Sequence, residues 1–228
     1  MNSARPAEAL TLSQLPLFPL QTVLFPGGWL PLRIFEVRYL DMIGRCHKAG
    51  APFGVVCLSE GSEVRRIDPA APPSGDGFAK EVFHSVGTLA QIEHLERPQP
   101  GLMMIRCRGL QRFQVTRRSQ LPHGLWMADV QLDEPEPVVP VPEHLVNTRS
   151  ALQRLLLSLQ ERHPDAMDQL PLQAPYQWDD SGWIANRWAE LLPAPVELKQ
   201  RLMTLDNPLV RLELVSDLLE KLGLDGGP

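Results

Sequence analysis

Proline limits what this chain can fold into. The 228 residues include 23 prolines, about twice the usual share, and each one fixes φ and removes a backbone donor. The effect is sharpest in the most apolar stretch, residues 10–32, which Pro16, Pro19, Pro26 and Pro31 interrupt. A membrane-spanning helix needs about 20 apolar residues with every backbone bond satisfied internally. This segment is therefore expected to form extended strands and turns. Residues 1–9 hold one arginine and no apolar run, so no secretory leader is expected. Cys46, Cys57 and Cys107 are widely spaced and odd in number. That excludes a disulfide framework and a CxxC metal knuckle, and suits a reducing cytoplasm.

A second proline cluster divides the chain. Four prolines fall within residues 135–142, which favours extended chain. The charge changes sign at the same place. Residues 1–132 carry 14 basic and 11 acidic side chains, and residues 133–228 carry 8 and 16. We expect one domain over 1–132, a linker over 133–142 and a second domain over 143–228. Glu134 and Glu136, in the linker, are expected to be solvated.

The first half reads as β. Short apolar runs end at turn residues such as Pro26-Gly27-Gly28, and residues 102–108 alternate, with Ile105 and Cys107 facing one way and Met104, Arg106 and Arg108 the other. A turn is expected at residues 109–111, before a strand over 112–116. One helix is expected over 36–48, stopped by Gly50. Residues 59–79, rich in Gly, Pro, Ser and charge, read as a long loop. Several alternating strands suggest a small barrel and argue against a doubly wound sheet. The second half reads as helical: leucines recur at helical spacing over 143–162, Ser181 is a plausible cap for a helix halted by Pro193, and Asn207-Pro208 opens a last helix. The expected class is α+β.

No catalytic constellation is apparent. None of the four lysines is followed by Ser or Thr, so a phosphate-binding loop of the GxxxxGK[ST] type is absent. GxGxxG, GxSxG and HExxH are absent too, and neither a metal nor a cofactor is expected. Two features suggest binding surfaces. Residues 97–118 hold six arginines (Arg97, Arg106, Arg108, Arg112, Arg117, Arg118) and no acid. Arg106, Arg108 and Arg112 are expected to share a solvent face able to track phosphates. Trp29 and Trp126 follow turns and can mark a peptide-binding groove. The candidate site is Trp29, Met104, Arg106, Arg108 and Trp126.

Three blocks resemble a known family when taken in order. The first is Leu15-Pro16-Leu17-Phe18-Pro19-Leu20 with Leu24-Phe25-Pro26-Gly27 and Leu30-Pro31-Leu32-Arg33-Ile34-Phe35-Glu36. The second is Ser85-Val86-Gly87-Thr88-Leu89-Ala90-Gln91-Ile92 with Gly109-Leu110-Gln111-Arg112-Phe113. The third runs from Leu191-Leu192-Pro193 to Asn207-Pro208-Leu209. Together, over roughly residues 12–222, they resemble the amino-terminal, substrate-binding domain of the Lon proteases. The resemblance implies a PUA-like β-barrel followed by a helical bundle. It also implies a free-standing recognition module, without the ATPase and Ser-Lys protease domains of full-length Lon. Such a module would bind unfolded or client polypeptide and not catalyse, alone or with a separate protease. RNA binding through the basic hairpin is the alternative. Pro16, Pro19, Pro26, Gly27, Pro31, Gly87, Gly109, Arg112 and Phe113 are expected to be structural, with Arg112 pairing to a carboxylate or carbonyl while Phe113 enters the core.

Overall fold

The computed structural model describes residues 10–64, 80–164 and 172–224. Most of the loop expected over 59–79 therefore lies outside the described residues. Six strands form one mixed sheet: β1 (Thr11–Leu20), β2 (Trp29–Ile34), β3 (Phe53–Glu60), β4 (Val82–Gln99), β5 (Leu102–Gln120) and β6 (Trp126–Leu132). A helix, α1 (Val37–Ala49), separates β2 from β3. The chain ends in α2 (Val146–Arg162), α3 (Ser181–Leu191), α4 (Val196–Met203) and α5 (Pro208–Lys221).

The prolines act as expected. Pro16 and Pro19 lie within β1 and Pro31 within β2. Among the described residues β2 bonds only to β5, and an edge strand tolerates a residue with no N–H. The sheet order is β2-β5-β4-β3-β1-β6, and β6 also bonds to β5. One pair, β1 with β3, is parallel. β5 is long enough to serve two partners. Met103 to Arg108 face β2, and Phe113 to Gln120 face β6.

The turn expected at residues 109–111 is not there. β5 runs straight through Gly109, because that residue answers a different need. Its N–H donates to Gly28 O and its carbonyl accepts from Gly27 N, both at 2.8 Å. A Cβ at Gly109 would lie 2.2 Å from Phe25 O. Gly27 supplies the turn, at φ 74. Gly87 is a second close approach, where a Cβ would lie 2.4 Å from Val55 O and 2.6 Å from the Phe113 ring.

Three buried clusters hold the fold. One, beneath β2 and α1, includes Phe18, Leu20, Ile34, Tyr39, Ile43, Phe53, Ile105 and Cys107. A second surrounds Phe113, fully buried, with Leu17, Val56 and Val130. The third joins the helices through Leu152, Ile184, Trp188, Leu212 and Val215, and takes in Val23, Phe25 and Cys57 from the sheet half. Helix ends follow local chemistry. Gly50 closes α1 in the left-handed region, and Asn207 caps α5 by accepting from Leu209 and Val210 N–H. The cap of α3 is Asp180, whose carboxylate accepts from Gly182 N–H. The neighbouring Ser181, expected in that role, instead donates from its buried hydroxyl to Pro140 O at 3.1 Å.

Candidate recognition surface

The two faces of β5 meet different environments. Ile105 and Cys107 point into the core, while Met104, Arg106 and Arg108 point out. Cross-strand register places Trp29 opposite Arg108, Pro31 opposite Arg106 and Arg33 opposite Met104. Four of the five sequence-predicted site residues, Trp29, Met104, Arg106 and Arg108, therefore share one outer face, with Arg33 beside them. The Arg106 guanidinium lies 4.9 Å from the Trp29 ring centroid, within cation–π range. Met104 is 40% exposed.

Trp126 lies elsewhere, at the far end of β5 opposite Gln120. Its Nε1 donates to Glu81 at 2.7 Å and its ring meets Phe83 edge-on at 5.3 Å. Arg118 sits over both rings. Glu81 also receives Arg38 Nη2 at 3.0 Å, so Trp126 belongs to a buried polar knot.

Arg112 also leaves the solvent face on which it was expected. It is 9% exposed because the helices cover β5 at that point. Its guanidinium donates to Met203 O at 2.8 Å and Leu205 O at 3.2 Å, and it pairs with Asp206 at 2.9 Å and Asp133 at 3.2 Å. The expected pairing of Arg112 and burial of Phe113 both hold. Two more buried arginines bind the same junction. Arg211 donates to Glu136 Oε1 at 2.5 Å, to Asn186 at 2.8 Å and to Leu202 O at 3.1 Å. Glu136 is thus not the solvated charge expected of a linker. Arg187 pairs with Glu190 at 2.7 Å and donates to Pro26 O at 3.1 Å.

Burial dominates the titration of this junction. It holds the carboxyls of Glu190, Asp133 and Asp180 above the usual carboxylate range, even though Arg187 and Lys199 pull Glu190 down and Arg112 pulls Asp133 down. Burial likewise lowers Lys199, against the pull of Glu190. A cleft of about 450 Å³ opens here, between Trp29 and Arg108 on one side and Pro135, Pro175 and Trp183 on the other.

No local pattern of residues marks the second opening, because it depends on which strands fail to meet. β1 bonds to β6 only as far as Leu17, and β2 has β5 alone. One edge of β1 from Phe18 to Leu20 and one edge of β2 are thus left without a strand partner among the described residues. Between them lies a groove of about 280 Å³ lined by apolar Phe18, Leu20, Leu32, Phe35 and Val64, with Arg33, Glu36 and Glu63 also on its walls. Tyr39 stacks on Phe18 at the floor, at 3.9 Å between centroids. Phe35 is 54% exposed and Val37, the next apolar residue along, is 74% exposed.

The described residues contain no group of three or more His, Cys, Asp or Glu placed to hold a metal ion. All three cysteines are free and buried, with Cys57 pushed up to about 11 and Cys107 to about 12 by desolvation. No described helix is long and apolar enough to cross a membrane.

The α+β scaffold thus presents an open strand edge beside a groove of mixed apolar and charged lining. The chain matches the model of the ATP-dependent protease La (LON) substrate-binding domain over residues 14–221, and it belongs to that family. Among solved structures it is similar to a Lon N-terminal domain protein from Xanthomonas campestris, at 29% identity and a TM-score of 0.68, covering 90% of this chain and 98% of that one. It shares its fold with the N-terminal domain of a Mycobacterium avium complex Lon protease, at 19% identity and a TM-score of 0.51, covering 91% and 98%. No curated protein matches.

Proposed function

We propose that this protein recognises polypeptide segments by binding and not by catalysis, and that an extended client chain lies along the free edge of β2. The observation that carries the reading is the β2 edge, unpaired among the described residues, beside a groove that exposes Phe35. An incoming strand gains main-chain hydrogen bonds from such an edge and specificity from pockets for alternate side chains. Pro31 removes one donor, which weakens indiscriminate pairing of edges. Unfolded or degradation-bound segments offer both an unpaired backbone and exposed apolar side chains; folded proteins do not. The module acts alone or with a separate protease, in a reducing cytoplasm that suits its three thiols. The division into residues 1–132, 133–142 and 143–228 is part of this proposal, with the client held by the first part.

The test is fluorescence anisotropy of a labelled, permanently unfolded protein. Binding is expected to persist at high salt and to weaken about tenfold or more in Phe35→Glu, a surface change that leaves the fold intact. Equal binding by Phe35→Glu would remove the groove from the site.

A further inference from the structure

The outer face of β2 and β5 carries cations that the fold does not use. Arg33 is exposed and Arg108 half-buried, and no carboxylate among the described residues pairs with either. Arg106 is held over Trp29 between them in register. The three lie along the strand pair that borders the free edge, so a segment docked on β2 passes within reach of them. Glu134 lines the same cleft as Arg108 without pairing to it, and several other nearby acids are engaged or displaced. Glu96 pairs with His94 at 2.9 Å, Glu36 pairs with Arg38 at 3.1 Å, and Glu63 accepts from Gln21 N–H at 2.6 Å. Glu93 falls at the break in register between Ile92 and His94.

We propose that this face selects acidic extended segments: client stretches whose apolar residues enter the groove while flanking Asp or Glu side chains meet Arg33 and Arg108. The inference rests on the polypeptide-binding reading above and narrows it. Guanidinium groups match carboxylates with two parallel donors, and the chain as a whole, at net charge −5, repels acidic segments away from this face. Selectivity therefore comes both from attraction at this face and from repulsion of acidic segments off it. Peptide is favoured over nucleic acid by three features of the basic hairpin. Arg112 is consumed by Asp133 and Asp206. Arg118 lies over Phe83 and Trp126. Trp29 is the single tryptophan on this face, too little for a stacking platform.

Three labelled peptides with one apolar extended centre and flanks of Glu, Ser or Lys separate the possibilities in anisotropy titrations. The Glu-flanked peptide is expected to bind about tenfold more tightly than the Lys-flanked one, with the gap shrinking as salt rises. The double change Arg33→Glu and Arg108→Glu is expected to reverse the order, while circular dichroism reports an unaltered fold. Should Arg108→Glu impair folding, Arg33→Gln alone is expected to reduce the preference about threefold. Equal affinity for all three peptides overturns the acidic selectivity and leaves polypeptide recognition standing. No binding of any peptide overturns both. Displacement of the Glu-flanked peptide by a single-stranded oligoribonucleotide that binds more tightly, and that loses affinity in the same variants, overturns the proposal in favour of nucleic acid.

Discussion

The arginines of the junction and those of the outer face do opposite work with the same side chain. Arg112, Arg187 and Arg211 are buried, and each satisfies a carboxylate and a backbone carbonyl, at least one of them from a distant part of the chain. Arg33 and Arg108, on the same sheet as Arg112, meet no acid among the described residues. A cluster of like charges in a sequence therefore says little about function until burial divides it. The buried members fix how the helices sit on the sheet; those left outside are the ones free to meet a ligand.

The comparison breaks most visibly at Arg211. Replacing it with Leu leaves Glu136, Asn186 and the carbonyls of Leu202 and Leu205 without their donor. Breaking a buried pair from one side costs about 3–5 kcal/mol, and Glu136 keeps some access to solvent, so a loss of about 3 kcal/mol is expected. The urea midpoint measures it. A change within 0.5 kcal/mol would mean that this arginine is no more structural than an exposed one.

Gly109 lies between the two regions, one residue beyond Arg108 and three before Arg112. Gly109→Ala forces a methyl group against Phe25 O, with an expected cost of about 1–3 kcal/mol. Because the same residue ties the Gly27-Gly28 turn to β5, the change is also expected to disturb Trp29 and weaken peptide binding. Chemical denaturation and anisotropy on the same sample separate the two effects.

Acidity separates the regions in another way. Burial raises the folded-state pKa of Glu190, Asp133 and Asp180. A carboxyl raised above its unfolded value contributes stability that is fully present below the unfolded pKa and is lost as pH rises through the folded pKa. These three groups therefore favour the folded state on acidification, and thermal melts at pH 5 are expected to show no loss relative to pH 7 from them. Glu190→Gln is expected to flatten whatever gain is seen. A melting temperature that falls from pH 7 to pH 5 and is restored by Glu190→Gln would reverse the sign argued here.

Alternation in residues 102–108 was enough to place Met104, Arg106 and Arg108 on one face, because the two-residue period depends only on the local chain. The helices were legible for the same reason, from spacing and from Asn207-Pro208. What the sequence hid was long-range. Arg112 and Asp206 are 94 residues apart, and Glu136 reaches Arg211 across 75, so neither pairing has a local signature. Gly109 looked like a turn because glycine serves turns and close approaches alike, and only the position of Phe25 distinguishes them. Asp180 and Ser181 are both good capping residues, and the geometry of one peptide unit decided between them. The groove at β2 arises from an absence of pairing between β1 and β2, which no residue type announces.

The smallest expected effect on stability makes the sharpest test. Arg33 sits on an edge strand, exposed, with no ion pair among the described residues. Arg33→Glu is expected to change stability by less than about 0.5 kcal/mol, as surface substitutions away from special features do, while lowering the affinity for an acidic segment severalfold. Arg211→Leu is expected to do the reverse, costing stability while a segment docked at the Arg33 end of β2, away from the cleft that Trp29 shares with Glu136, binds the folded fraction as before. Measured side by side, the two variants form a crossed pair. If Arg33→Glu unfolds the protein, or if Arg211→Leu weakens binding as much as Arg33→Glu does once the folded fraction is accounted for, then burial does not divide the arginines by role, and the sheet face and the junction act as one site.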